Sequence, residues 1–158
     1  SEVAAQETFP AWGYWIANGA TTLLENWNMK AIKNDISHNH IMFGEISAWY
    51  YKALGGIKPD PNNPGFKNVI LEPHFVQNLD HFEAKHDGPY GEIISSWKKD
   101  DENIRYEVTI PPNSSATVLF EGKSVSGIQE ELVEKQENGM LMIDLKSGNY
   151  DLVIETFK

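Results

Sequence analysis

The stretch Arg105-Tyr106-Glu107-Val108-Thr109-Ile110-Pro111-Pro112-Asn113-Ser114-Ser115-Ala116-Thr117-Val118-Leu119-Phe120-Glu121-Gly122 decides the fold. Tyr106, Val108 and Ile110 alternate with Glu107 and Thr109, the period of two that a strand buried on one side requires. Pro111-Pro112-Asn113 breaks the run, Ala116 to Phe120 resumes it, and Glu121-Gly122 ends it. Comparable runs lie at 68–71, 82–85, 92–97, 139–145 and 150–156, with the turn formers Asp87-Gly88-Pro89, Asn138-Gly139 and Ser147-Gly148-Asn149 between them. A recurrence every dozen residues or so predicts a mainly β chain folded as an antiparallel β-sandwich.

Upstream the character changes. Residues 1–57 carry a net charge of −2 and the remainder −8, while Trp12, Trp15, Trp27 and Trp49 precede residue 50 and only Trp97 follows. Gly55-Gly56 and the run Lys58-Pro59-Asp60-Pro61-Asn62-Asn63-Pro64-Gly65 mark the boundary, which predicts two domains, 1–57 and 58–158. Ile41, Met42, Ile46, Trp49, Tyr50, Ala53 and Leu54 recur at helical spacing, predicting one long α-helix over about residues 38–54 with Ser37 as N-cap, Gly55 as stop and that face in the core. Phe9 to Asn28 has no clean period and reads as irregular. The opening Ser1-Glu2-Val3-Ala4-Ala5-Gln6-Glu7 reads as the last turns of a helix without a beginning, so the sequence is expected to be cut from a larger protein.

The 158 residues hold 23 acidic against 13 basic side chains, a formal charge of −10, and no cysteine. Phosphate recognition depends on a basic footprint, so nucleic acid and a polybasic membrane anchor are excluded as partners. No apolar run approaches the roughly 20 residues that cross a bilayer. Without cysteine there is no disulfide, thiolate chemistry or cysteine-bound zinc. No cofactor or metal site is expected. His38 and His40 stand two apart and would diverge on a helix, and the acidic run Glu130, Glu131 and Glu134 reads as a solvated face.

The densest cluster of polar and aromatic residues is Trp12-Gly13-Tyr14-Trp15, then Gly19-Ala20-Thr21-Thr22-Leu23-Leu24-Glu25-Asn26-Trp27-Asn28, then Ser37-His38-Asn39-His40. Flat rings stack on the C–H faces of sugars, and a carboxylate and an imidazole can bind hydroxyls or move protons. Gly19 would free the backbone where the chain turns. On composition alone Glu25 could equally be a solvated or capping carboxylate, and Trp12 and Trp27 could be packing residues.

Residues 10–28, the block Ser37-His38-Asn39-His40-Ile41-Met42-Phe43-Gly44 and the segment Trp49 to Ile57 closely resemble the C-terminal part of α-L-rhamnosidases of glycoside hydrolase family 78. The similarity continues through Pro59-Asp60, Gly65-Phe66, Pro73, Pro89-Tyr90-Gly91, Trp97 and Ile110-Pro111-Pro112-Asn113. The resemblance implies a catalytic (α/α)6 barrel of six helical hairpins, of which 1–57 is the remnant, followed by a β-sandwich. It implies inverting hydrolysis of terminal α-L-rhamnosides, with Glu25 as general base, His40 as a sugar-contacting histidine, and Trp12 and Trp27 lining the pocket. Leu24 departs from the tryptophan many members carry there. An inverting enzyme also needs a protonated acid roughly 6.5–9.5 Å from the base. In the family that acid lies far upstream, and neither Glu7 nor Glu45 matches its motif, so the isolated chain is expected to be inactive and, with barrel contacts uncovered, to self-associate or leave residues 1–36 disordered. The alternative is a stand-alone β-sandwich module that binds carbohydrate or caps a neighbouring domain.

Overall fold

The structure, a computed structural model, describes residues 2–29, 37–136 and 139–157. The chain forms two compact units, one ending at Trp49 and the other starting at Tyr50. The second is built on β1 (Ile57–Pro59), β2 (Asn68–Leu71), β3 (His81–Gly88), β4 (Gly91–Asp100), β5 (Asn103–Glu121), β6 (Ser124–Ser126), β7 (Val133–Lys135) and β8 (Met140–Glu155). Two long strands organise it. β8 runs antiparallel to β5 along nearly its whole length, with the register shifting between Ile110 and Ser115. The first half of β5 continues to β4 and β3, and the second half to β2 and β1. The far edge of β8 takes β6 near its end and β7 near its start.

One sheet therefore serves as two layers. The inward residues Tyr106, Val108 and Ile110 of one half of β5 and Ala116, Val118 and Phe120 of the other join one core with Ile93, Trp97, Leu141, Ile143, Leu152 and Ile154. The alternation in the sequence marks the buried face correctly. Two pairs of predicted strands, 105–110 with 116–120 and 139–145 with 150–156, are each one bent strand, because Pro111 to Ser114 supply a bulge rather than a reversal, with Asn113 at φ 65°. β2 pairs parallel to β5, so the sheet is not wholly antiparallel. The three-residue strands β1, β6 and β7 are too short to show a period. Asn138 of the expected turn lies outside the described residues.

The entry into the sheet is pinned by buried polar contacts. The Ser95 hydroxyl donates to the Gly55 carbonyl at 2.5 Å, the Tyr106 hydroxyl lies 2.9 Å from Ser95 Oγ, and Trp97 Nε1 donates to the Leu54 carbonyl at 2.8 Å. Burial pushes the Tyr106 phenol above its ordinary value, so it serves as a neutral hydrogen-bonding group. At Gly56, φ is +71° and a Cβ would stand 2.2 Å from the Pro73 nitrogen, which only glycine avoids.

The first unit carries α1 (Glu2–Ala5), α2 (Trp12–Ala17), a 3₁₀ turn at Ile41–Phe43 and α3 (Ile46–Trp49). The single helix predicted over about 38–54 is thus broken. Ser37 to His40 are engaged by residues 22–25, His40 rather than Ser37 caps the 3₁₀ turn, and residues 50–54 form a π turn closed by the Gly55 N–H on the Tyr50 carbonyl. These changes of winding rotate the apolar positions out of one stripe: Leu54 is buried, while Ile41 is 86% and Trp49 37% exposed. Gly55 does stop the helical run. Among the described residues no helix is long and apolar enough to cross a membrane.

Candidate active site

Two segments of the first unit lie side by side. The Glu25 N–H donates to the Ser37 carbonyl at 3.0 Å, the His40 N–H donates to the Leu23 carbonyl at 2.8 Å, and the Thr22 hydroxyl donates to the His38 carbonyl. This pairing brings Glu25 and His40, 15 positions apart in the sequence, into one place. Among the described residues the Glu25 carboxylate is held at one end only. Its Oε2 accepts the Ser37 N–H at 2.7 Å, and its Oε1 has no partner among the described residues. A half-buried carboxylate with one oxygen fixed and one open can take a proton.

His40 is half-buried, and its Nδ1 accepts the Met42 N–H at 3.0 Å. The neutral ring then carries its proton on Nε2, which has no partner among the described residues and can donate outward. Asn39 is bent toward Ser37, its N–H donating to Ser37 Oγ at 3.2 Å. His38 is exposed. Among the described residues no group of three His, Cys, Asp or Glu could hold a metal ion.

Trp12 and Trp27 stand edge-to-face, with centroids 4.8 Å apart. Trp27 also packs at 4.6 Å from Trp15 and 4.5 Å from Phe43, and its carbonyl accepts Trp15 Nε1–H at 3.2 Å. Trp12 Nε1 is buried with no hydrogen-bond partner among the described residues. Leu24 is buried. Sequence reasoning placed Trp15 in the polar and aromatic cluster but gave neither it nor Phe43 a place in the pocket. The spacing of three between Trp12 and Trp15 on α2 was the available signal for the first, and nothing local marks Phe43 as a neighbour of α2.

Residues 56–135 match the sequence model of the bacterial α-L-rhamnosidase C-terminal domain, and residues 1–54 match that of the bacterial α-L-rhamnosidase 6-hairpin glycosidase domain. The chain belongs to the bacterial α-L-rhamnosidase family. Among relatives, an α-L-rhamnosidase of Alteromonas sp. (strain LOR) is 37% identical over 94% of this chain and 16% of its own length. Another, of Formosa agariphila, is 36% identical over 71% of this chain and 12% of its own. The solved α-L-rhamnosidase of Dictyoglumus thermophilum superposes with a TM-score of 0.85 at 30% identity, covering 98% of this chain and 18% of that one. The Streptomyces avermitilis α-L-rhamnosidase complexed with L-rhamnose gives 0.83 at 25%, covering 97% and 16%. The chain thus spans about a sixth of the length of the α-L-rhamnosidases it matches.

Proposed function

We propose that residues 1–54 supply the general base and part of the sugar pocket of an inverting α-L-rhamnosidase, and that the general acid lies outside these 158 residues. The observation that carries this is the Glu25 carboxylate, fixed through Oε2 on the Ser37 N–H, with no partner on Oε1 among the described residues. In the forward reaction Oε1 accepts a proton from a water that attacks the anomeric carbon, and a separate acid protonates the departing oxygen. His40 donates Nε2–H to a sugar hydroxyl. Trp12 and Trp27 bound the pocket, and the Trp12 Nε1–H, without a partner among the described residues, is a donor of the kind a hydroxyl satisfies.

The 158-residue chain with 4-nitrophenyl α-L-rhamnoside is expected to show no turnover, and titration with L-rhamnose little or no change in tryptophan fluorescence. Hydrolysis that disappears in Glu25→Gln would overturn the assignment of the acid elsewhere. In a longer family enzyme containing these residues, Glu25→Gln is expected to lower kcat by about 10²–10⁴ with KM little changed, the range for loss of a general base. An unchanged kcat there would remove Glu25 from the chemistry.

A further inference from the structure

The β unit holds a second polar site that does not rest on Glu25. A half-open groove of about 570 Å3 runs over the face of β2, β5 and β8 beside the bulge at Pro111 to Ser114. That volume is in the range of small-molecule sites. Its composition is unlike that of the neutral-sugar cluster in the first unit: no aromatic side chain lines it. Lys67 and Lys146 do, in a protein whose net charge is −10.

Five other basic side chains of the unit are engaged. Lys58 pairs with Glu72, Lys85 with Glu83, Arg105 with Asp151 and Lys123 with Glu155, and Lys99 donates to the Val76 and Gln77 carbonyls. Neither the Lys67 nor the Lys146 ammonium has a partner among the described residues, and the one acidic side chain in the groove, Asp144, already accepts the Thr117 hydroxyl at 2.8 Å. Two ammoniums without a partner among the described residues thus face the groove, with the Asp144 carboxylate on its wall and the buried Asp60 carboxylate behind its floor, and an anion gains from the ammoniums what a neutral ligand does not.

The floor is held in place beforehand. Asp60 accepts from Asn63 Nδ2 at 2.9 Å and Asn68 Nδ2 at 3.0 Å, and Asn68 Oδ1 accepts the Ser115 hydroxyl at 2.7 Å. Groups fixed by such contacts lose little freedom when a ligand arrives. Asn113 is exposed at the rim with its amide unpaired among the described residues. Hydroxyl-binding groups thus stand beside unpaired cations.

We propose that this groove binds an acidic saccharide, with Lys67 and Lys146 meeting its carboxylate and Asn113, Thr117 and Asp144 meeting its hydroxyls. The test is a titration of the 158-residue chain, followed by ¹H–¹⁵N spectra at low ionic strength, with sodium D-glucuronate, with D-glucose and with inorganic phosphate. Glucuronate is expected to give saturable shifts confined to residues 67–68, 113–117 and 144–146, with glucose and phosphate each about tenfold weaker or more. Lys67→Gln and Lys146→Gln, singly and together, are expected to weaken glucuronate about tenfold, while Lys98→Gln on the outer face of β4 leaves it unchanged. The same spectra report whether each variant is folded. Absence of saturable shifts, equal binding of glucose, equal binding of phosphate or equal loss in Lys98→Gln would each overturn the proposal.

Discussion

Asp60 accepts three hydrogen bonds, from the Asn63 amide, the Asn62 N–H and the Asn68 amide, and these hold its carboxyl below the ordinary aspartate value. A carboxylate whose folded value is depressed adds stability that is complete above the unfolded value of about 3.9 and is lost as pH falls through the folded value. Asp60→Asn is therefore expected to lower the urea midpoint near neutral pH and to flatten its fall as pH drops below roughly 4. Glu155, lowered by Ser124 and Lys123, adds acid dependence of the same sign that this substitution leaves in place. Parallel curves for the two proteins would show that Asp60 does not matter to the fold. The sequence places Asp60 in a turn-forming run, but not its bond to Asn68 across the loop. At Tyr106, the OH-deleting change Tyr106→Phe leaves Ser95 bonded to Gly55 and should cost about 1 kcal/mol. Trp97→Phe orphans the Leu54 carbonyl and opens a gap, for about 2–4 kcal/mol. Denaturant unfolding that ranks the two variants the other way would contradict this account of the pinned entry.

At the scale of elements, legibility follows the range of the forces involved. The buried face of β5 is readable because alternation is local, whereas the fusion of two predicted strands into one depends on β8 following both halves. Asn113 sits at the bend with φ 65°, a conformation a β-branched residue resists. Asn113→Val is expected to destabilise by about 1–3 kcal/mol. A fall of less than a few tenths of a kcal/mol would mean the bulge tolerates an extended residue. Gly56→Ala meets the Pro73 nitrogen and the Glu72 carbonyl carbon directly, so it is expected to push the start of β1 away from the end of β2 or prevent soluble expression, which circular dichroism and yield would report. The broken helix between residues 41 and 54 shows the converse. Its apolar spacing is helical, but the pairing of 37–40 with 22–25 and the π turn before Gly55 are tertiary choices invisible in a periodicity.

Across the whole molecule, apolar exposure is concentrated in the first unit, where Phe9, Ile16, Ile41 and Met42 are 57%, 72%, 86% and 54% exposed. Exposed apolar surface of this kind drives association. The chain is expected to self-associate in sedimentation velocity, and Ile41→Lys with Met42→Glu to shift it toward monomer; a monodisperse wild-type monomer would count against this. The motif residues that carry the resemblance, from Trp12 through Glu25 to His40, were legible because they are a pattern of residue types. The amino-acid sequence by itself thus determined the family, the β-rich second half and the candidate carboxylate. Only the tertiary structure decided that Glu25 is tethered by one oxygen, that Trp12 and Trp27 close on Trp15 and Phe43, and that Lys67 and Lys146 share a groove. The physical reason is distance along the chain: local propensity and alternation act over a few residues, whereas these arrangements join groups 12 to 79 positions apart, which no local preference encodes.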